Sequence, residues 1–279
     1  APPPGWAPGD PAYRRITVAL FLAGLATFAL VYCTQPLLPL LADAFDITPA
    51  AATLSVSITT LSMGVALLVF GPLSDSVGRL GLMRITLLVA ALIAVASAFS
   101  PSWWILLALR GALGFAVAGL PAVATAYLRE EIDPAWATPV TGLYIGGTAI
   151  GGMSGRLITG WLAQGFGWQI ALGGIGVMSL VIAVGLGVLL PPARRFTPTP
   201  LRHEELLDNA RRMVADRGLL TLYGIGFCAM GAFVAAIDLI GRVRDKDMEG
   251  VGGLVGWNLA YPLALTALLY KIGRASCRE

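Results

Sequence analysis

The sequence predicts an all-α membrane protein, a bundle of six transmembrane helices followed by one or two more, and three observations predict it. The 279 residues are 57% hydrophobic and 13% charged, with a mean hydropathy of +0.78, too apolar to clothe a soluble domain in polar surface. The apolar residues gather into six successive runs, each close to the roughly 20 residues that a helix needs to cross a hydrocarbon core of about 30 Å. Arginines occupy alternate connections between the runs. Hydrocarbon offers no water to unpaired backbone N–H and C=O groups, and these short connections cannot close a barrel, so each run is expected to be a helix.

The opening, residues 1–15, is rich in Pro and Gly and reads as a flexible tail ending at Arg14 and Arg15. The first helix is expected over Ile16–Leu41, the second over Ala50–Ser74, the third over Gly81–Phe99 and the fourth over Trp103–Leu128. The fifth covers Pro139–Leu162 and the sixth Gln169–Leu190. Residues 191–218 then form a polar linker, Pro-rich at PPARRFTPTP and charged but helix-permissive at LRHEELLDNARRMVADRG. A seventh run, Leu219–Ile237, re-enters the membrane, and the charged stretch Asp238–Glu249 precedes an eighth candidate, Val251–Tyr270.

Charge sets the orientation, because Lys and Arg are retained on the cytoplasmic side during insertion. Arg14 and Arg15 precede the first helix, Arg79 and Arg84 follow the second, Arg129 the fourth, and Arg194 and Arg195 the sixth. The opposite connections, LADAFDITPA, SPSW and QGFGW, hold no Lys or Arg. The N-terminus is therefore expected in the cytoplasm. A net charge of +3 spread over loops in this way serves topology and argues against a nucleic-acid partner. Cys33, Cys228 and Cys277 lie far apart, and His203 stands alone in the linker, so neither a disulfide framework nor a metal site is indicated. Cofactors are expected to be none. Trp103, Trp104, Trp161 and Trp168 fall at outer helix ends, as an interfacial aromatic belt.

After the second helix the chain reads Gly71-Pro72-Leu73-Ser74-Asp75-Ser76-Val77-Gly78-Arg79. A tight cytoplasmic turn needs Gly where backbone is strained, and a carboxylate there can accept from an Arg or a helix N-terminus. The stretch resembles motif A of the major facilitator superfamily, Gly-x-Leu-x-Asp-x-x-Gly-Arg, placed as in that family between helices two and three. Ser76, Leu80 and Gly81 stand where the family often has basic residues, and Arg84 partly compensates. Helix four carries Leu109-Arg110-Gly111-Ala112-Leu113-Gly114, similar to the family's Arg-x-x-Gln-Gly motif B with Leu113 in place of Gln. Helix five, from Gly142 to Arg156, resembles the Gly-rich motif C of proton-coupled exporters but lacks its Pro. With PAVATAYLREEI closing helix four, these segments most resemble bacterial sugar and drug exporters of the arabinose-efflux type, over Arg14 to about Ala235.

The resemblance implies the N-terminal six-helix bundle of such a transporter, plus the start of a second bundle. It implies a conformational latch at Gly71, Asp75, Gly78, Arg79 and Arg84. An arginine at membrane depth costs about 2.5 kcal/mol or more, so Arg110 and Arg156 are expected to face a water-filled cavity or an acidic partner; the bland alternative for Arg110 is a bond to helix-end carbonyls or snorkelling towards the outer surface. Tyr32, Gln35 and Tyr144 offer hydroxyl and amide groups either to a polar substrate or to neighbouring helices. Gly114, Gly142, Gly146, Gly147, Gly151, Gly152 and Gly155 permit close helix approach. No acidic residue lies well inside the six helices, so a proton-carrying carboxylate is expected in the second half.

Beyond Phe233-Val234-Ala235 the family pattern fades. Residues 238–271 read as a frame change or a joined fragment, and residues 272–279, from Ile272, read as the translation of a sequencing adapter, excluded from fold reasoning. The expected function is secondary active, proton-coupled efflux of a small organic solute by a monomer in a bacterial inner membrane. The chain alone is expected to be a truncated, inactive piece. The alternatives are a half-size transporter working as a dimer, against which the seventh helix argues, and a membrane-embedded enzyme. The enzyme needs clustered Asp, His, Ser or Glu at membrane depth, which the six helices do not offer.

Overall fold

A computed structural model describes residues 5–195 and, beyond them, positions 215, 216, 218, 220, 221, 224, 225 and 228. The chain divides into two units, Ala1–Leu201 and Arg202–Glu279. In the second, residues 218, 220, 221, 224, 225 and 228 are helical. His203, Cys277, most of the linker and seventh run, the eighth run and the segment from Ile272 lie outside the described residues.

The first unit is helical apart from one isolated bridge among its described residues, and its elements begin and end where local chemistry requires. Helix α1, Pro11–Tyr32, starts with Pro at its first position, where the missing N–H is not needed. It therefore begins ahead of Ile16: Ala12 to Arg15 are helical although too polar to join the apolar run. It ends at Tyr32 because Pro36 has no N–H for the Tyr32 carbonyl. A 3₁₀ turn, Gln35–Leu37, leads into α2, Leu38–Phe45, which stops at Asp46 in the left-handed region (φ 51°). Thr48 caps α3, Pro49–Val77, by accepting from Ala51 N–H at 3.2 Å.

Helix α4 spans Arg79–Ser97. Together α5, Trp103–Val117, and α6, Gly119–Glu131, make the fourth crossing; they part where Pro121 cannot bond the Val117 carbonyl. Asp133 caps α7, Pro134–Leu189, by accepting from Ala135 N–H at 2.9 Å. The 56 residues of α7 would run about 84 Å if straight, far beyond one crossing. Gly167 (φ 84°, ψ 171°) adopts a backbone conformation open essentially to Gly alone and divides α7 into two crossings. Six spans follow, as expected from the apolar runs.

Packing assigns an end to each connection. The first part of α7 lies along α1, and the second part packs on α4, where Gly176 meets the backbone of Ala94 and Val95. One apolar cluster, including Ile16, Leu20, Met83, Tyr127 and Leu186, fills the end that carries the arginines; a second, including Leu30, Leu37, Leu106 and Ile175, fills the other. At that second end Phe45 sits between Trp103 (centroids 6.0 Å) and Trp168 (5.3 Å). Of the four expected belt tryptophans, only Trp104 and Trp161 face outward; Trp103 and Trp168 are buried, drawn in by Phe45. Outward-facing Leu68, Val69, Val181 and Val188 leave an apolar exterior suited to lipid.

Candidate functional site

Two constellations emerge, one at the α1–α7 contact and one at the arginine-bearing end. At the first, Tyr32 closes α1, Gln35 opens the 3₁₀ turn, and Arg156 projects from α7 some 16 Å along the axis before Gly167. The Arg156 Nε–H donates to Gln35 Oε1 at 2.5 Å, and its guanidinium lies 4.4 Å from the centre of the Tyr32 ring. A charge-assisted hydrogen bond stabilises by about 1.5–3 kcal/mol and a cation–π contact by about 0.5–2. Together they match the roughly 2.5–3.5 kcal/mol that an arginine costs at membrane depth. The structure thus joins three residues that the sequence singled out separately. They are only half-buried.

Glycines bring α1 and α7 close enough for this contact. A Cβ on Gly147 or Gly151 would collide with the carbonyl of Phe21 or Leu25, and one on Gly155 would lie 2.6 Å from Ala29 Cα. Gly152 lets the Tyr32 ring approach, 3.2 Å from where its Cβ would be, and Gly114 makes the same close approach to Thr59 between α5 and α3. Gly142 and Gly146 differ from the expected packing: a Cβ at either meets nothing within 4 Å, because both lie off the face of α7 that meets α1. Tyr144, about 18 Å along α7 from Arg156, is buried against Gly24 in the core cluster and does not join the site.

Arg110 is fully buried and takes the bland alternative. Its Nη1 donates to Leu30 O at 3.2 Å and Nη2 to Val31 O at 3.0 Å, with Cys33 Sγ 3.6 Å away. These carbonyls belong to the last turn of α1, where the helix ends and backbone acceptors take partners from outside it. Among the described residues Arg110 makes no ion pair.

At the arginine-bearing end, Gly71 to Val77 are not a loop. Helix α3 continues through Pro72 to Val77, and α4 starts at Arg79, so the turn between them is Gly78 alone. Its φ of 102° is a conformation that L side chains rarely adopt. This turn throws Asp75 and Arg79 onto adjacent faces, 3.0 Å apart, and Arg79 also meets Glu130 of α6 at 2.8 Å. Arg84 takes no part in that pair; it bonds the Leu190 carbonyl at 2.5 Å. Gly71 contacts nothing that a Cβ would meet.

Sequence reasoning missed Glu130, Glu131 and Trp6. Glu131 is buried, and its Oε1 accepts from the backbone N–H groups of Arg194 (2.8 Å) and Arg195 (3.1 Å). Trp6 bridges the same segment: its N–H donates to Glu131 O at 2.8 Å, and Asp133 N–H donates to Trp6 O at 3.0 Å. The tail is therefore anchored from Gly5 onward rather than free. An acidic pair at a helix end was the available signal; an isolated Trp among prolines carried none.

Comparison with known proteins places the chain in a family. The model of the Major Facilitator Superfamily matches residues 20–276, a range that takes in the stretch 238–271 set apart above. The chain belongs to the major facilitator superfamily. The superfamily consists of transporters, not enzymes. The chain is 46% identical over 233 residues to the Escherichia coli protein named inner membrane transport protein YnfM, a match covering 84% of this chain and 56% of that protein. It is equally 46% identical over 232 residues to an uncharacterized MFS-type transporter, YybF, of Bacillus subtilis, covering 83% and 57%. The chain thus spans little more than half the length of these superfamily relatives. Its fold resembles that of a bacterial homolog of the human lysosomal transporter Spinster in an inward-facing, unoccupied conformation, with a TM-score of 0.69 and 16% identity over 95% of this chain and 61% of that one.

Proposed function

We propose that this chain is the first bundle of a proton-coupled exporter that moves a small organic solute, a sugar or drug-like molecule, by alternating access. The observation that carries the reading is the Tyr32–Gln35–Arg156 constellation, a cationic and hydrogen-bonding group placed where two close-packed helices of a multi-pass transporter meet. Such a group binds a polar solute by exchanging Gln35 and the ring for substrate oxygens. The row Gly147, Gly151 and Gly155 of α7 lies directly against α1 backbone, a close approach that supports relative movement of the two helices. Asp75, Arg79 and Glu130 serve as a latch that forms in one state and parts in the other.

The coupling carboxylate belongs to a second bundle, which encloses the site from the other side. The arginine-bearing end, with the N-terminus, faces the cytoplasm, and the protein resides in a bacterial inner membrane; the charge distribution and the name of the E. coli relative support this. The test is transport by the full-length protein in proteoliposomes under an imposed proton gradient. Gradient-driven accumulation of a sugar or drug-like solute supports the proposal. Uptake insensitive to the gradient removes the coupling, and absence of transport across a broad panel of both classes removes the solute assignment.

A further inference from the structure

At the arginine-bearing end, the start of α1 and the segment after α7 line an open recess of about 420 Å³, within the size range of small-ligand sites, roughly 300–1,000 Å³. Its polar lining is Arg15 and Arg194; its apolar walls are Trp6, Pro191 and Pro192, and Pro11 and Ala12 of the first turn of α1 form its floor. Neither guanidinium is in an ion pair among the described residues. Arg194 is stacked on the Trp6 ring at 3.8 Å, which fixes its direction without neutralising its charge. The first N–H groups of α1 receive no side-chain cap, because the Asp10 carboxylate is turned to Ala7 N–H at 3.0 Å. Two guanidiniums and an uncapped helix start therefore converge on one recess beside apolar walls.

We propose that this recess binds a phosphate-bearing anion, the headgroup of an anionic phospholipid. Planar guanidiniums match phosphate oxygens in pairs, and a Trp and prolines beside them suit glycerol and the upper acyl chain. Position argues for lipid: the recess lies where the first apolar span begins and the last one among the described residues ends, the level at which a membrane–water boundary falls. The occupant joins the tail to the segment following α7, both already tied to Glu131, and so braces the exit of the bundle.

The test is native mass spectrometry of the purified chain in detergent, titrated with phosphatidylglycerol or phosphatidylcholine, with inorganic phosphate as competitor. The expected result is a preference for phosphatidylglycerol of about tenfold or more, falling below about threefold in Arg15→Gln/Arg194→Gln and retained in Arg15→Lys/Arg194→Lys. Unchanged far-UV circular dichroism shows that the Gln variant still folds. Binding of inorganic phosphate in millimolar amounts, lost in the Gln variant, with no preference between the lipids keeps the anion site and assigns it to a soluble phosphate. Equal binding of both lipids without any phosphate effect, or a full preference in the Gln variant, overturns the proposal. Binding needs no transport, so this outcome is independent of the exporter reading.

Discussion

Adding one methyl group at Gly151 tests how the two helices that hold the site are brought together. The new Cβ would lie 2.6 Å from Leu25 Cα and 2.7 Å from its carbonyl carbon, against an ordinary carbon contact of about 3.5–4.0 Å. Backbone cannot rotate away, so α1 and α7 must part by about 1 Å, at an overpacking cost of about 1–3 kcal/mol. Gly147 and Gly155 share the contact, and the separation loosens both. Gly146→Ala adds the same methyl to the same helix where nothing lies within 4 Å, and the helix preference of Ala makes it neutral or stabilising by up to about 1 kcal/mol. Unfolding of this chain by dodecyl sulfate in mixed micelles, followed by circular dichroism, separates the two. Gly151→Ala within about 0.5 kcal/mol of the parent, or Gly146→Ala as damaging as Gly151→Ala, refutes the packing argument.

The same titration serves four further variants. Gly78→Ala places a side chain at φ 102° and is expected to cost about 1–3 kcal/mol, while Gly71→Ala, with open space around it, is expected to cost little. Arg110→Ala removes both donors to the end of α1 and is expected to destabilise by about 1–3 kcal/mol; its transport per folded molecule then survives, whereas selective loss of transport restores a substrate role. Arg79→Gln removes the charge that Asp75 and Glu130 share at a cost of about 1 kcal/mol, since these pairs are surface or only partly buried, and its main effect is expected in the balance of inward- and outward-facing states, read by spin-label distances in the full-length protein.

Much of the fold was legible because hydrocarbon imposes one solution on a long apolar run, and loop arginines mark alternate ends. The apolar criterion misplaced the start of α1, where proline at the first helical position mattered more than hydropathy. It also read Gly71 to Val77 as a turn, since Gly71-Pro72 signals a break in water-soluble chains, although only Gly78 carries the conformation that a turn requires. The site was legible as a set of residue types. Pairing was not: Gln35 and Arg156 are separated by 121 positions, and only the register of α1 on α7 brings them together. Arg110 was legible as a charge at membrane depth, but its partners, the Leu30 and Val31 carbonyls at the end of α1, were not.

In the proposed function Arg156, held by Gln35 and Tyr32, lies on the path of the transported solute. The direct measurement is solute-induced proton flux through the full-length protein in everted membrane vesicles, read by a pH-sensitive dye, for the parent, Arg156→Lys and Arg156→Gln at matched membrane levels. Arg156→Gln is expected to lose the response and Arg156→Lys to keep part of it, because charge without the planar donor pair binds less well. A parental rate in Arg156→Gln contradicts it.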